Sequence, residues 1–571
     1  MIILLPLKVL AVGILLVLLR GVVWLLNLLF LLPLSDPLQH LPGPDGSRLQ
    51  SHFNQVMNPE LTPEMNENWS KKYGKSFRFH GFGKHDYRLM SFDFRVITHV
   101  LNSPALYERP WQTRDFLATL FGRGIFSTEG AERKLQRKLL GPAFATQSIK
   151  AMSPVFIQKA EELCDLWRRC ISEASSETTG TTSTSASQNI DVSHWLSRAS
   201  FDVIGLAGFD YNFHALKGES ERAYKAYRNV LRVAEKGLSF RGIVELYFPI
   251  LRKLLPNNDV RSTNRSLRVI KDIGRTLVEN KTAKIRIEED KSEELEEKDI
   301  LSLLIKSNIS MDCAKQLPDS DLLDQSSTLM LAGSDTVSLA VAWCLFQLSQ
   351  HPSVQTRLRE EIHTIAHLHS TCTTSAEASC PEVSEALPKQ LASASFEAIE
   401  SLPYLDAVVR ETLRLSPPVH GTIRVATAND QIPISHPVTL RDGTILEAGS
   451  SISIRKGSYI HIPIEGINYS KEIWGDDALS FKPDRWSNPP TKVPGLGNTM
   501  TFGFGSHACL GYKFSVFEIK VFLCTILPRF TFAPMENTNI SKFSSIVTRP
   551  YVVERREQGS QLPLKVALFH S

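Results

Sequence analysis

Cys509 sits in Phe502-Gly503-Phe504-Gly505-Ser506-His507-Ala508-Cys509-Leu510-Gly511, a glycine-punctuated stretch that runs straight into an apolar-periodic segment over 510–530. That layout puts a sulfur just before a helix N-terminus, where the macrodipole and free N–H groups favour a thiolate. The glycines, lacking Cβ, let the backbone approach something large and flat. One thiolate with no second cysteine nearby is a poor zinc site and a good axial ligand for haem iron. The competing reading is a small buried hydrophobe, the more frequent role of a cysteine before a helix.

Two more clusters have unusual residue types for their setting. Ala332-Gly333-Ser334-Asp335-Thr336 lies inside a long helical pattern, where glycine, aspartate and threonine all lower helix propensity and need a tertiary reason. A hydroxyl bonded back to the carbonyl four residues earlier is the plain reading of the threonine. In Arg410-Glu411-Thr412-Leu413-Arg414-Leu415-Ser416-Pro417-Pro418, Glu411 and Arg414 share a helix face and can pair, and the prolines stop the helix. Any surface helix could carry that pair at little energetic consequence.

The elements that must position these residues read as mostly helical. Amphipathic stretches cover 154–172, 194–208, 216–236, 266–287, 319–350 and 404–415. Short β-rich runs occur near 76–79, 88–91, 437–440 and 450–454. This imbalance predicts a mainly α fold with small β-sheets. Residues 172–188 and 370–395 are Ser/Thr/Ala-rich and read as surface insertions, the second carrying Cys372 and Cys380; 288–299 is a charge block.

Across 571 residues, Lys plus Arg number 64 against 60 Asp plus Glu, a net +4 that argues against a nucleic-acid binder. The eight cysteines show neither paired metal spacing nor a dense framework, which favours a reducing compartment. From 1 to 34 nearly every residue is apolar, interrupted by Lys8, Arg20 and Asn27, with no signal-peptide cleavage site evident. The stretch is long enough to cross a bilayer of about 30 Å. Arg20 leaves two forms open: one tilted span with a snorkelling arginine, or a shorter span beside an interfacial segment. Leu41-Pro42-Gly43-Pro44, within a hinge over 35–50, breaks the helix before the body at 51–571. Six N-x-[ST] sequons begin at Asn68, Asn264, Asn280, Asn308, Asn468 and Asn539, and a cytosolic body would leave all of them unmodified.

The pattern Phe502-x-x-Gly505-x-His507-x-Cys509-x-Gly511 closely resembles the haem-binding loop of the cytochrome P450 family. The other motifs match that family in order: Ala332–Thr336 resembles its oxygen-activation segment, and Glu411-x-x-Arg414 its paired helix element. Phe481-Lys482-Pro483-Asp484-Arg485-Trp486 is similar to its aromatic-x-Pro-x-Arg element, and the anchor and hinge resemble those of microsomal, fungal-type members. The resemblance implies the mainly helical triangular-prism fold preceded by a transmembrane helix.

It also implies roles. Cys509 would ligate haem b, with Phe502, Gly505 and Gly511 shaping the loop and Arg137, Arg424 and His507 serving the propionates. His507 replaces the usual arginine, and Arg133 replaces the usual aromatic four residues before Arg137. Thr336 and Asp335 would deliver the two protons that oxygen activation consumes, with Gly333 opening a groove beside the iron. Glu411, Arg414 and Arg485 would form a buried structural network. Phe116, Phe121, Ile125, Phe126, Leu329, Ala332, Gly333, Ile423 and Ile546 would line a pocket for a lipophilic substrate, with His420 pointing elsewhere. The expected activity is monooxygenation: one atom of O2 enters the substrate, with electrons from NADPH through cytochrome P450 reductase and cytochrome b5 as a further donor. A basic run over 133–138 with Lys513 and Lys520 would dock the donor. The expected setting is fungal secondary metabolism on the cytosolic face of the endoplasmic reticulum membrane. Alternatives from other classes are an oxygen-independent haem-thiolate isomerase or dehydratase, and a non-catalytic membrane haem protein.

Overall fold

The computed structural model describes residues 35–46, 51–81, 86–177, 187–218, 221–235, 240–291, 298–312, 316–371, 396–490, 493–544 and 546–569, with 12–13, 15–16, 19–23 and 26 near the start. Most of the expected anchor and of the insertions at 172–188 and 370–395 therefore lies outside the described residues. The expected single body divides into two compact units: Met1–Arg109 with Gly421–Ile467, and Pro110–His420 with Asn468–Ser571.

The first unit is built on a five-stranded sheet of β1 (Ser76–His80), β2 (Tyr87–Ser91), β3 (Tyr107–Glu108), β4 (Thr422–Ala426) and β5 (Tyr459–Ile462), in the order β1-β2-β5-β4-β3. The β5 strand runs parallel to β2, pairing Ile460 with Leu89, and antiparallel to β4, pairing Ile460 with Arg424. Phe77, Phe79, Leu89, Ile460 and Ile462 are buried in it, as the β-branched and aromatic content requires. Two helices, α1 (Thr62–Tyr73) and α2 (Phe94–Asn102), belong to the same unit, and Asp93 caps α2 by accepting from Arg95 N. Part of the expected hinge packs onto this unit. Leu38 and Leu41 are buried, and the Arg78 backbone N donates to Pro42 O at 2.8 Å.

The second unit carries the long helices around one continuous apolar core. They are α3 (Trp111–Phe121), α4 (Gly130–Leu140), α5 (Thr146–Glu177), α6 (Val192–Phe209), α7 (Glu221–Glu235), α8 (Asn258–Lys291), α9 (Asp319–Gln350), α10 (Pro403–Leu415) and α11 (Tyr512–Ile526). The α9 bounds are those the periodicity predicts. It is the one described helix long and apolar enough to cross a membrane, and 78% of its apolar window is buried, which makes it a core helix. The α5 helix begins at Thr146 rather than 154. Pro154 lies inside the helix, and the Ser153 hydroxyl donates at 2.7 Å to the Lys150 carbonyl that Pro154 leaves without its helical partner. A three-stranded sheet (Phe530–Pro534, Pro563–Leu568, Ser187–Asp191) and a hairpin (Ile540–Ser544 with Thr548–Val552) complete the unit.

Candidate functional site

The Cys509 loop is fixed by its own backbone. Cys509 N donates to Phe502 O at 2.8 Å, Gly503 N donates to Met500 O at 2.9 Å, and a 3-10 turn covers Gly505–His507. Gly503 and Gly505 have φ of 72° and 68°, the left-handed region that a side chain would strain. Gly511 is the N-cap of α11, and Phe502 packs edge-on against Tyr512 with ring centroids 4.7 Å apart. Of the five described cysteines, Cys509 is the exposed one, while Cys164, Cys344 and Cys524 are buried. Burial pushes the Cys164 thiol to about 11 and the Cys344 thiol to about 12, as expected of inert core sulfurs. The protein density around Cys509 also raises its thiol, while the Gly511 N–H and the Arg137 charge pull it down. Arg137 Nη1 donates to Ala508 O at 2.7 Å, and His507 Nε2 lies 2.7 Å from Glu129 Oε2. Both contacts tie the start and the body of α4 to the loop residues just before the sulfur.

The expected ionic network forms in full. Arg414 donates to both Glu411 oxygens at 2.9 and 2.8 Å, and Arg485 Nε donates to Glu411 Oε1 at 2.9 Å. Glu411 and Arg414 are completely buried. Trp486 Nε1 and Lys482 N also donate to Glu411, at 3.0 Å each, and Arg414 reaches the carbonyls of Asn468 and Ala478. Every polar valence is met, which is the condition under which a buried charge cluster holds. The sequence reading had no signal for Asn468. Its amide donates to Arg414 O at 3.1 Å and Thr501 Oγ1 at 3.0 Å, and Thr501 Oγ1 donates to Leu413 O at 2.8 Å. That lattice ties the end of α10 to the strand of chain entering the cysteine loop. It also buries one sequon asparagine entirely, and Asn308 is likewise buried.

On α9, the Thr336 hydroxyl donates to Ala332 O at 2.7 Å, the plain i−4 bond. The helix runs unbroken through the motif, so no distortion marks it. Gly333 lies where α9 meets α6. A Cβ there would lie 2.5 Å from Ile204 Cδ1, so the glycine exists to let α9 and α6 pack closely. Asp335 is buried and its Oδ2 accepts from Arg549 Nη2. Arg549 also lies 3.0 Å from Glu235 at the end of α7, and Glu235 is 3.8 Å from Arg228. Asp335, Glu235 and Arg549 are thereby enclosed together, with the partly exposed Arg228 at their edge. Burial opposes the Arg228 charge, yet Tyr224, Glu235 and Asp335 together hold its pKa above the ordinary value. Burial, with Asp335 adding to it, pushes the Tyr227 phenol well up, and its hydroxyl lies 2.7 Å from Ser334 Oγ.

Phe121, Ile125 and Leu329 belong to the buried core, with Phe116, Phe126 and Ile546 packed against it. A cavity of about 10 Å³ is lined by Phe121 together with Leu120, Tyr227, Val230, Ser327 and Met330, among others, and the remaining expected lining residues do not border it. Ile423 and Arg424 lie on β4 of the first unit, where Arg424 Nη1 donates to Thr422 Oγ1 at 2.7 Å. His420 Nδ1 lies 2.8 Å from Ser544 Oγ. The basic patch shrinks. Lys520 is buried against Asp406 and Glu400, and Arg133 is buried with its guanidinium on Ile125 O. Lys134, Lys138 and Lys513 remain exposed.

Glu129, Glu235 and Arg549 escaped sequence reasoning because a lone charged residue announces no partner. A family model, Cytochrome P450, matches residues 42–553. The chain is 34% identical to Cytochrome P450 monooxygenase 205 of Postia placenta, over 94% of each chain. It is 32% identical to Cytochrome P450 monooxygenase claP of Ampulloclitocybe clavipes, over 92% of each. It is also 30% identical to ganoderic acid synthetase of Ganoderma lucidum, over 87% of this chain and 88% of that one. With the cysteine loop, the buried Glu411 network and the α9 motif assembled in one unit, the chain belongs to the cytochrome P450 family and is a monooxygenase of the oxidoreductase class.

Proposed function

We propose that the protein inserts one atom of O2 into a lipophilic substrate of fungal secondary metabolism, drawing electrons from NADPH through a membrane-bound reductase. The family's cofactor is thiolate-ligated haem, and the loop suits it. Its one thiol is exposed, its glycines keep side chains off the approach, and no cluster of three His, Cys, Asp or Glu side chains that could hold a metal ion occurs among the described residues. When bound at Cys509, such a haem supplies dioxygen activation, to which thiolate donation contributes.

The reading is carried by the Asp335–Thr336 pair in its enclosed setting. Inserting one oxygen atom and releasing the other as water consumes two electrons and two protons, so a guarded proton source is required. Arg549 occupies Oδ2 of Asp335; Oδ1 is buried with no hydrogen-bond partner among the described residues. That oxygen is the atom at which Asp335 would accept and pass a proton. The Thr336 hydroxyl donates to Ala332 O and keeps its lone pairs for an incoming donor. The apolar and aromatic side chains of Phe116, Phe121, Phe126 and Leu329 favour a lipophilic substrate. Exposed Lys134, Lys138 and Lys513 offer an acidic electron donor a landing surface, and the apolar 1–34 segment suits an endoplasmic-reticulum anchor with a cytosolic body.

A reduced-plus-CO difference spectrum tests the ligation: the Soret band typical of a thiolate ligand is expected, and its absence in folded, haem-loaded protein overturns the proposal. With reductase and NADPH, Thr336→Ala should divert oxygen from product to peroxide. Unchanged coupling would remove Thr336 from proton delivery.

A further inference from the structure

One carboxylate beside the cysteine loop is unexplained by the roles above. Glu129 is the N-cap residue of α4, yet its side chain makes no capping hydrogen bond to its own helix. A carboxylate at that position ordinarily gains by accepting from the first-turn N–H groups. Here it reaches across to the loop, and its Oε2 lies 2.7 Å from His507 Nε2. Both side chains are only 3% exposed, so the contact is enclosed on each side. Eight residues along, Arg137 of the same helix donates to Ala508 O at 2.7 Å. Arg133 and Arg137, four residues apart, share one face of α4, and Glu129 stands at the start of that helix with extended backbone. The helix start and the helix body thus hold consecutive loop residues, 507 and 508, immediately before Cys509.

His507 therefore spends a ring nitrogen on a protein carboxylate, whereas the family resemblance gave this position to a propionate. The cations on the α4 face are Arg133, whose guanidinium donates to Ile125 O, and Arg137, with Arg133 standing where an aromatic was expected. A histidine held by a carboxylate has a fixed ring orientation, and such outer partners tune how firmly a neighbouring ligand holds its metal.

We propose that Glu129 is a positioning residue for haem retention: with Arg137 it forms a two-point clamp across the cysteine loop, using His507 as the handle. This rests on the haem-thiolate reading above. Substitution of the carboxylate removes the contact at His507 Nε2, loosens the 507–508 segment and weakens the hold on Cys509. Arginine at 507 can still donate to Glu129, so the clamp tolerates that exchange.

The test uses the haem-loaded full chain and the rate of haem transfer to excess apomyoglobin, with haem-to-protein ratio and thermal midpoint measured alongside. Glu129→Gln and His507→Gln should each speed haem loss by about tenfold or more. The double variant should lose haem no faster than either single one, because both remove the same contact. His507→Arg should stay within about threefold of the parent. Glu129→Asp, its carboxylate withdrawn by one methylene, gives the same comparison should Glu129→Gln not accumulate as folded protein. Haem loss at the parental rate in the Glu129 variant, or single effects that multiply in the double variant, would overturn the clamp. A parent lacking the thiolate-type band with CO would overturn the haem reading itself, so the two failures are separable.

Discussion

At the scale of single residues, Arg549 is the pivot of the distal side. It joins Asp335 to Glu235 inside an enclosure where neither carboxylate has water to fall back on. Removing one member of such a cluster leaves uncompensated charge, so Arg549→Met should cost about 3 kcal/mol, read as a lowered urea midpoint at unchanged m-value. Arg549→Lys should recover part of it. Glu518 is the opposite case, a carboxyl with no cation. It is fully buried on α11, accepts from Ser200 Oγ at 3.1 Å, and burial pushes its pKa well above the ordinary value. The folded state therefore holds this proton over a pH range in which the unfolded chain has released it. Its contribution to stability is fully present below the unfolded pKa and is lost as pH rises through the folded one. Glu518→Gln should flatten that decline, gaining on the parent as unfolding is measured at successively higher pH. A parallel pair of pH–stability curves would contradict this.

At the scale of elements, α9 shows how a helix keeps residues that ordinarily weaken one. Ser326, Ser327, Thr328, Ser334 and Thr336 donate to carbonyls four residues earlier, and Ser338 to one three earlier. These bonds allow hydroxyls to sit in a buried surface without orphaned donors. Gly333 serves the same helix differently, by admitting Ile204 of α6. Gly333→Ala gains helix propensity of about 1 kcal/mol and incurs overpacking of about 1–3 kcal/mol, so a net loss is expected. Ile204→Val should relieve it, making the double variant more stable than Gly333→Ala alone by thermal denaturation. Additive losses would argue that the glycine answers to something other than α6.

At the scale of the whole molecule, the division into two units matters for the chain's start. Leu38 and Leu41 are buried in the first unit, so the stretch read as a hinge is part of the folded body. A chain beginning at Ser35 should melt with the full-length protein, whereas one beginning at Ser51 should lose about 3 kcal/mol because it lacks both buried leucines. Equal melting of the two truncations would show that the docking contributes nothing.

Local order was readable where one residue type carries its own consequence. Periodicity located α9 and α10, glycine spacing located the cysteine loop, and the Glu411–Arg414 pairing followed from spacing three apart. What the residues by themselves determined was thus the helical class, the candidate ligand and the order of motifs, because these depend on neighbours along the chain. What only the tertiary structure decided was partnership across it. Glu129 with His507, Arg549 with Asp335, Asn468 with Thr501 and Gly333 with Ile204 are each far apart in sequence. A buried charge or a bare Cα has no meaning until the fold chooses what lies opposite, since its energy is set by the atoms that replace water around it.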